Sequence, residues 1–307
     1  MRPLAENIAD IGLDTISFSG TLPMKLSAVR DAGFSQIMLL ARDLTGHPEG
    51  VDAAVALVKA SGLRVTGFQV LRDFEGLIGN LHEYKIDVAK SMLEMCAALG
   101  SKVLLICSST SQHATGDRDA IARDLRKLAM LALPLEINIA YEGLSWGRHI
   151  NEFPDAWDVV SRADAPNLGL GIDSFHIFAT KTSLDALDEL DPEKIFLVQL
   201  ADFMWQEIRS VEERIATART FRVFPGEGVH SDQIAEIVTR LDRLGYQGDY
   251  SFEVFNDDYQ QMPPEKVAER GFRAAQWLGE DVLKRSIPLP GQMRLRAQRD
   301  IERARES

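Results

Sequence analysis

The sequence has little cysteine, no long apolar run and no surplus of positive charge. Its 307 residues contain two cysteines, Cys96 and Cys107. Both stand in apolar surroundings, which fits a reducing compartment better than a disulfide-built scaffold. No run of roughly 18 or more uninterrupted apolar residues occurs, and the opening MRPLAENIADIG lacks the apolar centre of a secretory signal. The expectation is a soluble cytoplasmic protein with no membrane span. Lysine and arginine number 34 against 46 aspartates and glutamates, a formal net charge of −12. Broad nucleic-acid binding and attachment to anionic membranes are therefore not expected. A few arginines in a cleft can still hold a small anion. A glycine-rich phosphate turn after the first strand is also missing, which counts against a doubly wound dinucleotide sheet.

What is present is alternation. Apolar strand runs are predicted at Ile11–Phe18, Gln36–Leu40, Leu63–Leu71, Val103–Cys107, Ile137–Tyr141, Leu168–Ile172, Ile195–Leu200 and Tyr250–Phe255. Helical spacing fills the intervals at Leu22–Ala32, Val51–Ala60, Tyr84–Leu99, Asp119–Leu131, Phe153–Arg162, Ser183–Glu189 and Ile234–Leu244. A last helix follows from Pro264 to Leu283. Gly33, Gly100 and Gly245 stand where a left-handed cap closes a helix. Eight such alternations predict a single (β/α)8 TIM barrel over residues 1–288, a fold that takes about 250 residues. Phe203–Val223 is an insertion after the seventh strand, on the face where barrel active sites lie; it reads as a rim or lid helix, or equally as a solvated one. The tail 289–307 carries Arg294, Arg296, Arg299, Arg303 and Arg305. It reads as a solvated helix, with packing on a second subunit of a homo-oligomer as the other reading.

Four strands deliver an oxygen-bearing side chain at the same place, their C-terminal end. These are Glu142 in INIAYEGLSWGRH, Asp173 in GLGIDSFH, Gln199 in IFLVQLAD and Glu253 in YSFEVFND. Alone, each acid could cap a helix or pair with an arginine. Together, in a barrel, they converge on one cavity and form a hard-oxygen site for a divalent ion such as Mg2+, Mn2+ or Co2+. Crowded carboxylates without a cation would repel and raise one another's pKa. His176, three residues after Asp173, enters the same cavity as a general base or acid. Together with Glu142 and Glu253 it makes the expected catalytic set. Arg72, Arg148 and Arg222 fall at strand-end loops, where a guanidinium fork suits a substrate carboxylate or phosphate, or a barrel-mouth acid. His149 beside Arg148 reads as a substrate contact or as support for one. His47, His82, His113 and His230 are expected at the surface.

These residues carry a resemblance. FQVLRDFEG (Phe68–Gly76), LLICSSTS (Leu104–Ser111), YEGLSWGRHIN (Tyr141–Asn151), NLGLGIDSFH (Asn167–His176), IFLVQLAD (Ile195–Asp202), FRVFPGEG (Phe221–Gly228) and SFEVFND (Ser251–Asp257) span most of the barrel in order. The chain resembles the xylose-isomerase-like sugar-phosphate isomerase/epimerase superfamily, and within it the bacterial 3-dehydroshikimate dehydratases. The resemblance implies one divalent metal on Glu142, Asp173, Gln199 and Glu253, polarising the ring ketone and stabilising an enolate. It implies that His176 takes the proton beside the ketone and then protonates the departing hydroxyl, giving protocatechuate. Arg72 and Arg222 would hold the ring carboxylate, with Arg148 and His149 near the hydroxyls. The substrate expected is thus a small carboxylated cyclic ketone. The alternative is an isomerase, epimerase or β-eliminating lyase acting on a keto-sugar, cyclitol or 3-keto-glycoside; Gln199 in place of a histidine ligand leans towards the dehydratases. Ala218-Arg219-Thr220 departs from the Ser-Arg-His that those dehydratases carry. Some relatives continue into a dioxygenase-like second domain, for which this chain is expected to be too short.

Overall fold

Strands buried on both faces need apolar residues on both faces, and the eight apolar runs find that environment in one closed sheet. A computed structural model describes residues 8–285. Its strands are β1 Ile11–Asp14, β2 Gln36–Leu40, β3 Arg64–Leu71, β4 Val103–Cys107, β5 Asn138–Glu142, β6 Leu168–Asp173, β7 Ile195–Leu200 and β8 Tyr250–Phe252. They lie parallel in chain order and the barrel closes where Leu13 of β1 stands opposite Phe252 of β8. Met38, Leu105, Ala140 and Leu197 fill the interior. Gly171 belongs there because space is short: a Cβ at that position would meet Leu105 Cδ1 at 2.8 Å.

The outer ring is formed by α1 Leu22–Ala32, α2 Ala41–Thr45, α3 Val51–Ser61, α4 Gly79–Leu99, α5 Arg118–Ala132, α6 Phe153–Ala163, α7 Ser174–Thr180, α8 Val211–Thr220, α9 Ser231–Leu244 and α10 Pro264–Gln276. In α6 the buried residues Phe153, Ala156, Val159, Val160 and Ala163 make one stripe at helical spacing, facing the barrel. The side chain of Asp117 starts α5 by accepting the backbone N–H groups of Asp119 and Ala120. No helix among the described residues is long and apolar enough to cross a membrane.

Several expected boundaries move, each for a local reason. The first strand stops at Asp14 and not at Phe18, because the Asp14 carboxylate accepts the N–H of Ile16 and winds Thr15–Ser17 into a 3-10 turn. The eighth strand stops at Phe252, before Phe255. The stretch Ser183–Glu189 contains a 3-10 helix at Leu184–Glu189. A helix not anticipated, α7, starts directly after Asp173, whose side chain caps it through the N–H of Phe175. The last helix leaves α-geometry after Gln276 and continues as a wider turn over Trp277–Val282. Within the Phe203–Val223 insertion, α8 is pinned back by antiparallel bridges from Asp202 to Val223 and from Phe221 to Asn256. Two histidines expected at the surface are not there. His230 is buried, stacked on Phe178 at 4.8 Å and held by Asp202 Oδ1. His82 is mostly covered and faces Asp124. The arginine-bearing tail lies outside the described residues.

Candidate active site

Register brings the strand ends together. Asp173 stands opposite Gln199, Gln199 opposite Ser251, and Cys107 opposite Glu142, while Glu253 follows β8 directly. Glu142, Asp173, Gln199 and Glu253 are all buried. Glu142, Asp173 and His176 bring ligand atoms within 4.8 Å of one another. His176 Nε2 is 3.6 Å from Asp173 Oδ2 and 3.9 Å from Glu142 Oε1. Arg222 joins the other pair, its Nη1 lying 2.7 Å from Asp173 Oδ2 and 3.0 Å from Glu253 Oε2. Cys107 donates its S–H to Glu142 Oε2 at 2.9 Å.

The electrostatics follow from burial. Burial, then the neighbouring charges of Asp173 and Glu253, pushes the Glu142 carboxyl well above its ordinary value. Burial raises Glu253 as well, against the pull of Arg222. Burial works against the charge of Arg222, but Asp173 and Glu253 outweigh it and its pKa rises. Burial presses the His176 imidazole down to about 4, with Asp173 opposing, so the ring is neutral at neutral pH. Behind the cluster Gln69 donates to Asp14, and burial, then Glu253, raises the Asp14 carboxyl. Glu142 Oε1 and Gln199 Oε1 are buried without a hydrogen-bond partner. A buried acceptor left without a donor costs about 1–3 kcal/mol. Two such oxygens, beside buried carboxyls, are what a hard divalent cation satisfies, and the donor set fits one.

Glu142, His176, Arg222 and Glu253 line a cavity of about 710 Å³, which Asp173 and Gln199 do not line. Arg72 lies on its wall, as does Arg222, whose Nε and Nη1 are already committed to Ala218 O and to the two carboxylates. Arg148 and His149 are exposed and do not line the cavity; His149 Nε2 is instead 3.0 Å from Ala114 O. Two further guanidiniums on the wall, Arg42 and Arg219, had not been anticipated as site residues. Arg42 follows β2 by two residues, so the strand-end signal applied to it too. Ser145 also escaped notice: its N–H donates to His176 Nδ1 at 3.1 Å, and its Oγ is 3.0 Å from the same nitrogen. Trp146 and Phe175 pack edge-on against the imidazole, at 5.1 and 5.3 Å between ring centres.

A closed parallel barrel with acids and an imidazole gathered at the strand ends is the architecture of a TIM-barrel enzyme. The chain belongs to the xylose isomerase-like TIM barrel family, whose family model matches residues 26–280. It is 35% identical over 269 residues to a 3-dehydroshikimate dehydratase of Pseudomonas putida, over 87% of this chain and 41% of that protein. A 3-dehydroshikimate dehydratase of Pseudomonas aeruginosa is 37% identical over 278 residues, 89% of this chain and 43% of that one. Among solved structures, a xylose isomerase-like TIM barrel/4-hydroxyphenylpyruvate dioxygenase fusion protein is similar at a TM-score of 0.83 and 32% identity, covering 92% of this chain and 45% of that one. The chain spans less than half the length of each of these three relatives.

Proposed function

We propose that this chain is a divalent-metal-dependent lyase that removes water from 3-dehydroshikimate to give protocatechuate. The observation that carries the reading is one cavity lined by Glu142, Glu253 and His176 and also by Arg42, Arg72 and Arg219. Such a pocket suits a small ring with a ketone on one side and a carboxylate on the other. Similarity to proteins named 3-dehydroshikimate dehydratase supports the same substrate.

Glu142, Asp173, Gln199 and Glu253 would hold the ion, an Mg2+, Mn2+ or Co2+ by the hardness of its donors. Bound there, it supplies Lewis-acid polarisation of the ring ketone. Arg72 grips the ring carboxylate with its fork, and Arg42 and Arg219 add positive charge to the same cavity. Leu144, Trp146 and Phe255 give the cavity an apolar side that limits water. The carbon between the ketone and the departing hydroxyl gives its proton to a carboxylate of the Glu142–Glu253 pair, both of which line the cavity. That proton leaves with the hydroxyl as water, and a proton shift within the ring completes the aromatic diol.

The test is ultraviolet absorbance of the purified protein with Mn2+ or Mg2+ and 3-dehydroshikimate, with an EDTA control. Metal-dependent appearance of protocatechuate is expected. No product from protein with metal demonstrably bound would refute the substrate.

A further inference from the structure

We infer that Ser145, braced by Arg214 of α8, is a positioning residue that fixes His176 as the tautomer carrying its proton on Nε2. On this inference, which rests on the site and reaction proposed above, His176 is a hydrogen-bond donor to the substrate and not the base.

A backbone N–H can only donate. Its approach to Nδ1 at 3.1 Å therefore requires a lone pair on that nitrogen. The Ser145 hydroxyl, 3.0 Å from Nδ1, must then donate to it as well. A neutral imidazole with a lone pair on Nδ1 carries its hydrogen on Nε2. The other side of the ring agrees, since Nε2 faces Asp173 Oδ2 and Glu142 Oε1, both acceptors. The rings of Trp146 and Phe175 pack against the imidazole in T-shaped contacts and oppose a flip that would exchange the nitrogens.

Ser145 is itself held. Ser108 Oγ accepts the N–H of Leu144 at 3.0 Å, and Leu144 O accepts the N–H of Gly147. The carbonyl of Ser145 accepts Arg214 Nη1 at 2.8 Å, across 69 residues of chain. Arg214 belongs to the Phe203–Val223 insertion, so that segment reaches the back of the catalytic ring and is more than a cover over it. A base acting through Nε2 would need its lone pair there, and this shell of donors places the lone pair on the opposite nitrogen.

The test starts with long-range 1H–15N correlation spectra of the Mg2+-loaded, histidine-labelled protein, with the His176 signals assigned by their loss in His176→Gln. A protonated Nε2 and an unprotonated Nδ1 are expected, and the reverse pattern overturns the inference. Arg214→Met should move that pattern towards a mixture and lower kcat roughly tenfold, the worth of about one hydrogen bond, with KM little changed. Arg214→Lys should restore both, and Mn2+ affinity should be the same in all three proteins. An unaltered spectrum and kcat in Arg214→Met removes Arg214 from the arrangement. His176→Gln keeps a donor and loses a base, so it should stay at least about tenfold faster than His176→Ala; equal loss in both means that His176 is the base. If 3-dehydroshikimate is not turned over at all, the spectra still report the tautomer and the proposed reaction alone has failed.

Discussion

Glu75 offers a quantitative test of the electrostatics beside the site. Its carboxyl is buried on the loop after β3; Oε1 accepts the N–H of Ser109 at 2.5 Å and the hydroxyl of Tyr141 at 3.0 Å. Oε2 has no partner. Burial lifts its pKa from an ordinary 4.5 to about 7, against the hydrogen bonds that favour the charged form. In the folded chain Glu75 keeps its proton up to about pH 7, whereas the unfolded chain releases it near 4.5. Between those limits the folded state binds more protons, so rising pH favours unfolding by about 1.4 kcal/mol per unit. The stabilising effect of the neutral acid is complete below 4.5 and is lost by the folded pKa, a total of about 3 kcal/mol. Glu75→Gln keeps the shape and the acceptor for Ser109 and Tyr141 but cannot ionise. Urea unfolding of both proteins from about pH 5 to about pH 8 should show the variant gaining on the parent by about 2–3 kcal/mol, the gain levelling off above pH 7. Glu142, Glu253 and Asp14 impose slopes of the same sign, so only the difference between the two proteins isolates Glu75. A difference flat with pH would refute the burial argument.

Other consequences are more direct. Glu142→Ala and Glu253→Ala should abolish Mn2+ binding by titration calorimetry while the chain stays folded, and retention of stoichiometric metal would remove them from the site. Arg72→Ala should raise KM for a carboxylated substrate roughly tenfold or more, with a smaller effect on kcat; an unchanged KM would place the carboxylate elsewhere. Gly171→Ala should destabilise the barrel by about 1–3 kcal/mol through its close approach to Leu105, read as a lowered melting temperature.

The barrel was legible because parallel strands covered on both faces must be apolar throughout, and the helices between them repeat an apolar stripe. Strand-end acids were legible for a related reason. A carboxylate at the C-terminal end of a barrel strand can turn towards the shared mouth, which is why Glu142, Asp173 and Glu253 could be grouped from far-apart sequence. Side chains that act through the backbone left no such trace. Ser145 works partly by its N–H, which any residue but proline carries, and Arg214 sits in a helix whose charges look merely solvated. Asp173 read as a strand end and Asp14 as part of the first strand, yet each turns the chain, Asp14 into a 3-10 turn and Asp173 into α7. His230 looked like a surface residue because its partners, Phe178 and Asp202, lie far away in sequence.

The charges at the floor of the cavity argue for how its parts depend on one another. Three buried acids meet one buried guanidinium, and Nη1 of Arg222 is shared between Asp173 and Glu253. Glu142 is left with a thiol on one oxygen and nothing on the other. His176 cannot make up the deficit, because burial keeps it neutral and its Nε2 side offers a dipole and not a charge. Two remedies remain for the excess negative charge, protonation of Glu142 or a cation beside it. Protonation would cost the pair its capacity to accept a proton from carbon. A divalent cation would keep the acids ionised and would satisfy the orphaned oxygens of Glu142 and Gln199 together. The carboxylate of a substrate would be repelled by the same acids, and Arg42, Arg72 and Arg219 on the cavity wall counter that repulsion. On the proposed function, the guanidiniums lining the cavity and a cation among the acids would answer one problem together: how an anionic ring approaches acids that must stay charged to act on it.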